Sequence, residues 1–326
     1  MKLHLLLLIS FGLLLNGCST TPDMGKAVTA YGNKDYLAVR EISGRARQEY
    51  PNYPLVLTLH GWSQFQLGDL AAALQAFKAL QGDHPTDFHG YLGEVWVLIK
   101  QGELEQAEKP LAVAERWMGL HQHTLLRATQ GWLAYYRNDL TEAERQFHRA
   151  EAEIYPDQAL YPIEQSIFAS WSTMPWVGIG WVELAWGNQR DAKAAFEKGL
   201  GRDPSCHLCY AGLSQLAELM GDIEKAIDYA TQGLEVSRHD PELVTQLNTL
   251  LFKRDSLDRS RAVYERLVKG SPDDPLYLSN LGYVYLYLDM QQPAGERFHQ
   301  ALAIESNQPL ALSGLARLGL PEHPTK

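Results

Sequence analysis

The feature that most constrains this chain is a spacing of small and apolar residues that returns about every 34 positions. Small residues recur at Ala73, Ala107, Ala143, Ala192, Ala226, Ser260 and Ala294. Four positions after each stands Phe77, Leu111, Phe147, Phe196, Ala230, Tyr264 or Phe298. Five positions before each stands a residue suited to a left-handed turn: Gly68, Gly102, Asn138, Gly187, Gly221, Asp255 and Asp289. A unit of this length cannot bury its apolar face alone, so its copies must stack on one another. The copies start at Pro54, Phe88, Thr124, Thr173, His207, Pro241 and Pro275.

The last copy carries Leu281-Gly282, Tyr285, Ala294, Phe298 and Ala301. This pattern resembles the tetratricopeptide repeat (TPR) family, in particular bacterial TPR lipoproteins. The resemblance implies an all-α, right-handed TPR superhelix (an α-solenoid) of about seven helical hairpins with a C-terminal capping helix. Numbered from each start, the conserved-type positions above are 15, 20 and 24 of the repeat. Residues 54–157 form repeats 1–3 and residues 173–308 repeats 4–7. Residues 26–53 read as a degenerate N-terminal hairpin, 309–319 as the capping helix and 320–326 as a disordered tail. Between repeats 3 and 4 the period slips over residues 158–172, an insertion rich in aromatics (Tyr161, Phe168, Trp171).

In that family the first helix of each hairpin lines a concave groove. Position 9, which faces it, reads Trp62, Trp96, Trp132 and Trp181 in four consecutive repeats, then Gln215, Thr249 and Tyr283. Positions 12 and 13 add Phe65, Ile99, Tyr135 and Tyr136. These side chains are the expected partner-binding surface, suited to an apolar or amphipathic segment of another protein, because aromatics dominate binding hot spots. Mutual packing of the rings as core is the alternative reading. The Lys/Arg/Asn clamp for a terminal carboxylate is absent; Lys100 and Lys253 are the cations at groove-facing positions.

The N-terminus follows a different grammar. After Met1-Lys2, thirteen mostly apolar residues run from Leu3 to Leu15. That length is too short to cross a bilayer and fits a cleaved export signal. Leu15-Asn16-Gly17-Cys18 resembles a bacterial lipobox. The resemblance implies a signal peptide over 1–17, lipidation at Cys18 and a short lipidated tether over 18–25. Ser19, rather than Asp, after the cysteine implies the outer membrane of a Gram-negative cell, facing the periplasm. Acyl chains of that kind give a stable anchor, where a single chain would be marginal.

Chemistry is scarce. Cys206-His207-Leu208-Cys209 is the one motif that carries any. Tyr210 stands where haem attachment needs His, and no second Cys pair or His pair completes a zinc site. In an oxidising compartment the two thiols pair locally or stay free; a redox or metal role is the remaining reading. His121 and His123 read as linker residues. No phosphate-binding loop, HExxH or GxSxG motif occurs, so no catalytic residue and no cofactor is expected.

Charge excludes further classes. The chain carries 29 Lys+Arg against 39 Asp+Glu, a net of −10. Removal of the signal takes away one Lys (28 against 39), leaving about −11. Such a surface disfavours nucleic acid as a partner, and nothing points to a small-molecule substrate. The expectation is a non-enzymatic, membrane-anchored scaffold that binds proteins of an envelope assembly machine, of the pilus or secretion type by analogy. A module tuning a peptidoglycan hydrolase or protease, and a periplasmic redox or metal protein, are the alternatives.

Overall fold

The computed structural model describes residues 22–118, 123–154, 172–238 and 240–322. The signal peptide, Cys18, the insertion up to 171, His121 and residues 323–326 lie outside the described residues. Among those described, seventeen helices and no strand occur. The chain divides into two units, residues 1–182 and 183–326.

In the first unit, α1 (Pro22–Gly32) and α2 (Tyr36–Glu49) pair first. They are followed by α3 (Pro54–Gln66), α4 (Leu70–Asp83), α5 (Phe88–Gln101), α6 (Glu108–Trp117), α7 (His123–Tyr136) and α8 (Leu140–Ala152). Helix α9 (Met174–Trp186) straddles the division between units. The second unit continues with α10 (Gln189–Arg202), α11 (His207–Leu219), α12 (Ile223–Val236) and α13 (Pro241–Arg254). It ends with α14 (Leu257–Gly270), α15 (Pro275–Tyr287), α16 (Gln291–Ile304) and α17 (Pro309–Leu318). Within each unit, helices pack on their neighbours in sequence and on the helix after next, as in α1 on α3, α3 on α5 and α15 on α17. This short-range order follows from the repeat itself, since every apolar face is covered by the adjacent copy.

All seven residues at position 15 adopt a left-handed backbone, including Asn138 (φ 62°), Asp255 (50°) and Asp289 (61°). Lys34 does the same between α1 and α2 (58°). The following residue then caps the second helix: Asp35, Asp69, Asp139 and Asp222 each accept from a backbone N–H three residues on. Such caps typically contribute about 1 kcal/mol each.

Two elements differ from the sequence expectation. Helix α1 starts at Pro22, so residues 22–25, read as tether, are helical. Helix α6 is only ten residues long and starts at Glu108, leaving Ala107 ahead of it. Pro110 explains the late start: proline fits the first turn of a helix but would clash with the carbonyl four residues back in its interior.

Candidate groove site

Position 24 organises each hairpin. Phe77, Phe147, Phe196 and Phe298 are wholly buried and Tyr264 nearly so. Each phenylalanine ring sits where a helix backbone comes close. An added Cβ at Gly61 would lie 2.6 Å from Phe77, and one at Gly131 would lie 2.6 Å from Phe147. The next hairpin approaches the same ring as well, through Gly93 on Phe77 and Gly178 on Phe147. Gly212 on Phe196 and Gly314 on Phe298 repeat the arrangement in the second unit. The position 8 glycines belong to the familiar pattern; the position 6 glycines, equally necessary, were not singled out by the sequence reading. Their signal was recurrence at the same offset after each repeat start.

Position 9 lies over the same ring. Trp62 meets Phe77 edge to face at 5.1 Å, Trp132 meets Phe147 at 5.4 Å, and Tyr283 meets Phe298 at 5.3 Å. This pairing draws two tryptophans inward, Trp62 at 0% exposed and Trp132 at 7%; Trp96, whose repeat has Leu111 at position 24, is 6% exposed. Ile99 is also buried, while Trp181 stays partly exposed. Trp62 and Trp132 are therefore floor, packed on the ring at position 24, and Trp96 is buried beside Phe65.

Of these rings in the first three repeats, those that stay open to solvent stand at positions 12 and 13. Phe65 stands edge to face on Trp62 (5.6 Å) and Tyr135 on Trp132 (5.5 Å). Both are partly exposed, and Tyr136, tilted over Trp132 at 6.0 Å, is 45% exposed. Phe65 also faces Trp96 at 6.5 Å, and Trp96 Nε1 donates to Thr129 Oγ1 at 3.2 Å. The first three repeats are thus joined by one run of rings and a hydrogen bond. Partial burial, with the neighbouring Tyr136, raises the Tyr135 hydroxyl above its ordinary range. Such a surface gives broad apolar contact with two hydroxyl groups.

In the second unit Tyr283 is partly exposed, and Arg317 of α17 lies over its ring at 5.5 Å. That cation–π contact joins residues one repeat apart and is made by stacking of α17 on α15. Cross-repeat ion pairs line the same unit: Lys253 with Glu218, Arg259 with Asp228 at 2.7 Å, and Arg266 with Glu235 at 2.6 Å. Lys253 is therefore tied to the preceding repeat rather than offered to the groove.

Cys206 and Cys209 are joined by a disulfide, with Cα atoms 5.3 Å apart. Both are buried, and Cys206 Sγ caps α11 by accepting from Cys209 N–H at 3.2 Å. Among the described residues no group of three or more His, Cys, Asp or Glu is arranged to hold a metal ion. No described helix is long and apolar enough to cross a membrane.

Comparison with known proteins agrees with this architecture. The tetratricopeptide repeat family pattern matches residues 58–119. The chain is 25% identical over 346 residues to the CTR9 homolog of Arabidopsis thaliana, covering 92% of this chain and 32% of that protein. It is 31% identical over 103 residues to the BBSome complex member BBS4 of Bos taurus, covering 31% of this chain and 18% of that protein. The chain thus spans a third or less of the length of these relatives. Among solved structures it is similar to the Cut9–Hcn1 hetero-tetramer of the APC/C, with a TM-score of 0.52 and 16% identity over 90% of this chain and 54% of that one. It is also similar to the human IFIT1 dimer with m7Gppp-AAAA, with a TM-score of 0.50 and 14% identity over 83% of this chain and 68% of that one. The molecule is therefore an all-α tetratricopeptide repeat protein by fold, with the family match itself on residues 58–119.

Proposed function

We propose that this protein is a membrane-anchored, non-catalytic scaffold that holds another protein on the aromatic face of its first three repeats. The observation that carries this reading is the recurring pair of a buried tryptophan and a partly exposed ring beside it: Trp62 with Phe65, and Trp132 with Tyr135. Rings held rigid by their neighbours lose little entropy on binding, which is what a hot spot needs. TPR folds serve mostly as interaction scaffolds, and two similar proteins are named as members of assemblies, the BBSome and the APC/C. The resemblance to bacterial TPR lipoproteins supports a partner in a multiprotein assembly machine of the cell envelope, of the pilus or secretion type. The lipobox-like segment ending at Cys18 supports an acyl anchor, and Ser19 supports the outer membrane, with the repeats facing the periplasm.

A photocrosslinking residue placed at Tyr136, in cells, tests the site. A discrete crosslinked protein is expected from Tyr136 and not from a probe at Glu144 on α8. Equal crosslinking from both positions would overturn the groove. Cys18→Ala is expected to move the protein from the membrane to the soluble fraction, and retention at the membrane would overturn the anchor.

A further inference from the structure

The first unit holds a second concavity that uses none of the groove rings. A cleft of about 380 Å³ lies between α6 and the α7–α8 hairpin. Its walls carry four carboxylates, Glu108, Glu115, Asp139 and Glu142, and one guanidinium, Arg137. Part of that charge is met. Arg137 Nη1 lies 2.8 Å from Glu108, and Arg145, outside the cleft, pairs with Glu142. Asp139 accepts the Glu142 N–H as a helix cap. Neither Asp139 nor Glu115 has an ion partner among the described residues, so the cleft keeps a net negative charge.

An independent observation points to a ligand. Gln146 lines the cleft and is only 7% exposed. Its Nε2 donates to Glu142 Oε1 at 2.7 Å, which fixes the orientation of the amide, and its Oε1 is left buried with no hydrogen-bond partner. A buried acceptor without a donor is destabilising, so it is a group that gains from a donor arriving. Acidic walls together with an unmet acceptor select a cation that carries several N–H donors. Leu111 and Leu133, both buried, supply apolar wall for a methylene stem. A bare metal ion would leave that wall unused.

We propose that this cleft binds a guanidinium or primary ammonium group on an alkyl stem, seated on Gln146 and held by Glu115 and Asp139. It lies beside the scaffold function and does not depend on the aromatic groove. The chemistry has two sources, a basic side chain of a polypeptide or a free polyamine, and the probes separate them. The full mature protein is titrated, by calorimetry at low salt, with a five-residue peptide bearing one central arginine among alanines, and separately with spermidine. Saturable one-to-one binding of the peptide is expected, weakening with added salt, and at least tenfold weaker in Glu115→Gln and in Gln146→Leu. Saturation by spermidine alone, with the same dependence on both residues, assigns the cleft to free amines. Glu115 is exposed, so its substitution leaves the fold intact even where Gln146→Leu does not. No saturable binding of either probe, or binding unchanged in Glu115→Gln, overturns the proposal.

Discussion

A Cβ placed on Gly178 would stand 2.3 Å from the ring of Phe147, closer than atoms tolerate. Phe147 has little room to yield, because Gly131 of its own hairpin is packed on the same ring, with an added Cβ 2.6 Å away. Gly178→Ala therefore forces a shift between repeats. Overpacking of this kind costs about 1–3 kcal/mol, against a helix-propensity gain of about 1 kcal/mol from replacing glycine. A net loss of up to about 2 kcal/mol is expected, read as a lowered urea midpoint. Gly44→Ala is the control: its nearest neighbour, His60, is 3.9 Å away, so only the helix gain of about 0.5–1 kcal/mol applies. A Gly178→Ala midpoint at or above that of the parent protein would contradict the sandwich.

Trp132 and Tyr136 touch, yet their substitutions should separate stability from binding. Trp132 is floor, packed on Phe147, and its loss to Ala should cost about 3–5 kcal/mol. Tyr136 is 45% exposed, and its loss to Ala should stay within about 0.5 kcal/mol. Tyr136→Ala should nevertheless lower recovery of the crosslinked partner, detected by a probe at Phe65. Undiminished recovery would place the binding surface elsewhere.

The repeat register was legible because it rests on local rules. Position 15 had to be left-handed, and Gly68, Asn138 and Asp289 are. Position 24 had to be buried, and Phe77 and Phe298 are. Burial of position 9 was not legible in the same way. Sequence spacing assigns Trp62 to a face of α3, but whether that face is open depends on how large the ring at Phe77 is and how closely α5 approaches through Gly93. The Arg317–Tyr283 contact and the ion pairs from Glu218 to Lys253 are also set by stacking, between residues 34 or 35 positions apart. The cleft at Gln146 escaped for a related reason: a half-satisfied amide is a property of packed neighbours and has no motif.

The Cys206–Cys209 bridge closes a loop of four residues, so its effect on the unfolded chain is modest, roughly 2 kcal/mol by the chain-entropy relation. The double variant Cys206→Ser with Cys209→Ala keeps an acceptor at the cap of α11 and removes the bridge. A fall in Tm of several degrees is expected relative to the oxidised protein, since about 1 kcal/mol corresponds to roughly 2–8 °C across domains of this size. Adding reductant to the parent should reproduce that fall and leave the double variant unmoved. Equal Tm in all these conditions would show that the bridge adds nothing to the folded state.

His60 gives the first unit a pH dependence. Burial disfavours its charged form most, the cations Arg47 and Arg40 add to this, and Asp69 opposes it, so its pKa falls below the ordinary 6.5. Nδ1 lies 3.1 Å from Ser43 Oγ, and Ser43 is itself fully buried, so the neutral ring is already accommodated. The unfolded chain takes up a proton as pH drops through 6.5, whereas the folded chain resists until its lower value is reached. The stabilising contribution is thus complete above 6.5, is lost as pH falls below it, and levels off beneath the folded value. Asn at this position can still hydrogen-bond Ser43 but cannot titrate. Urea unfolding between about pH 7.5 and about pH 5.5 should therefore show a steeper loss of stability in the parent than in His60→Asn. Parallel curves would mean that the imidazole is protonated as readily in the folded chain as in the unfolded one.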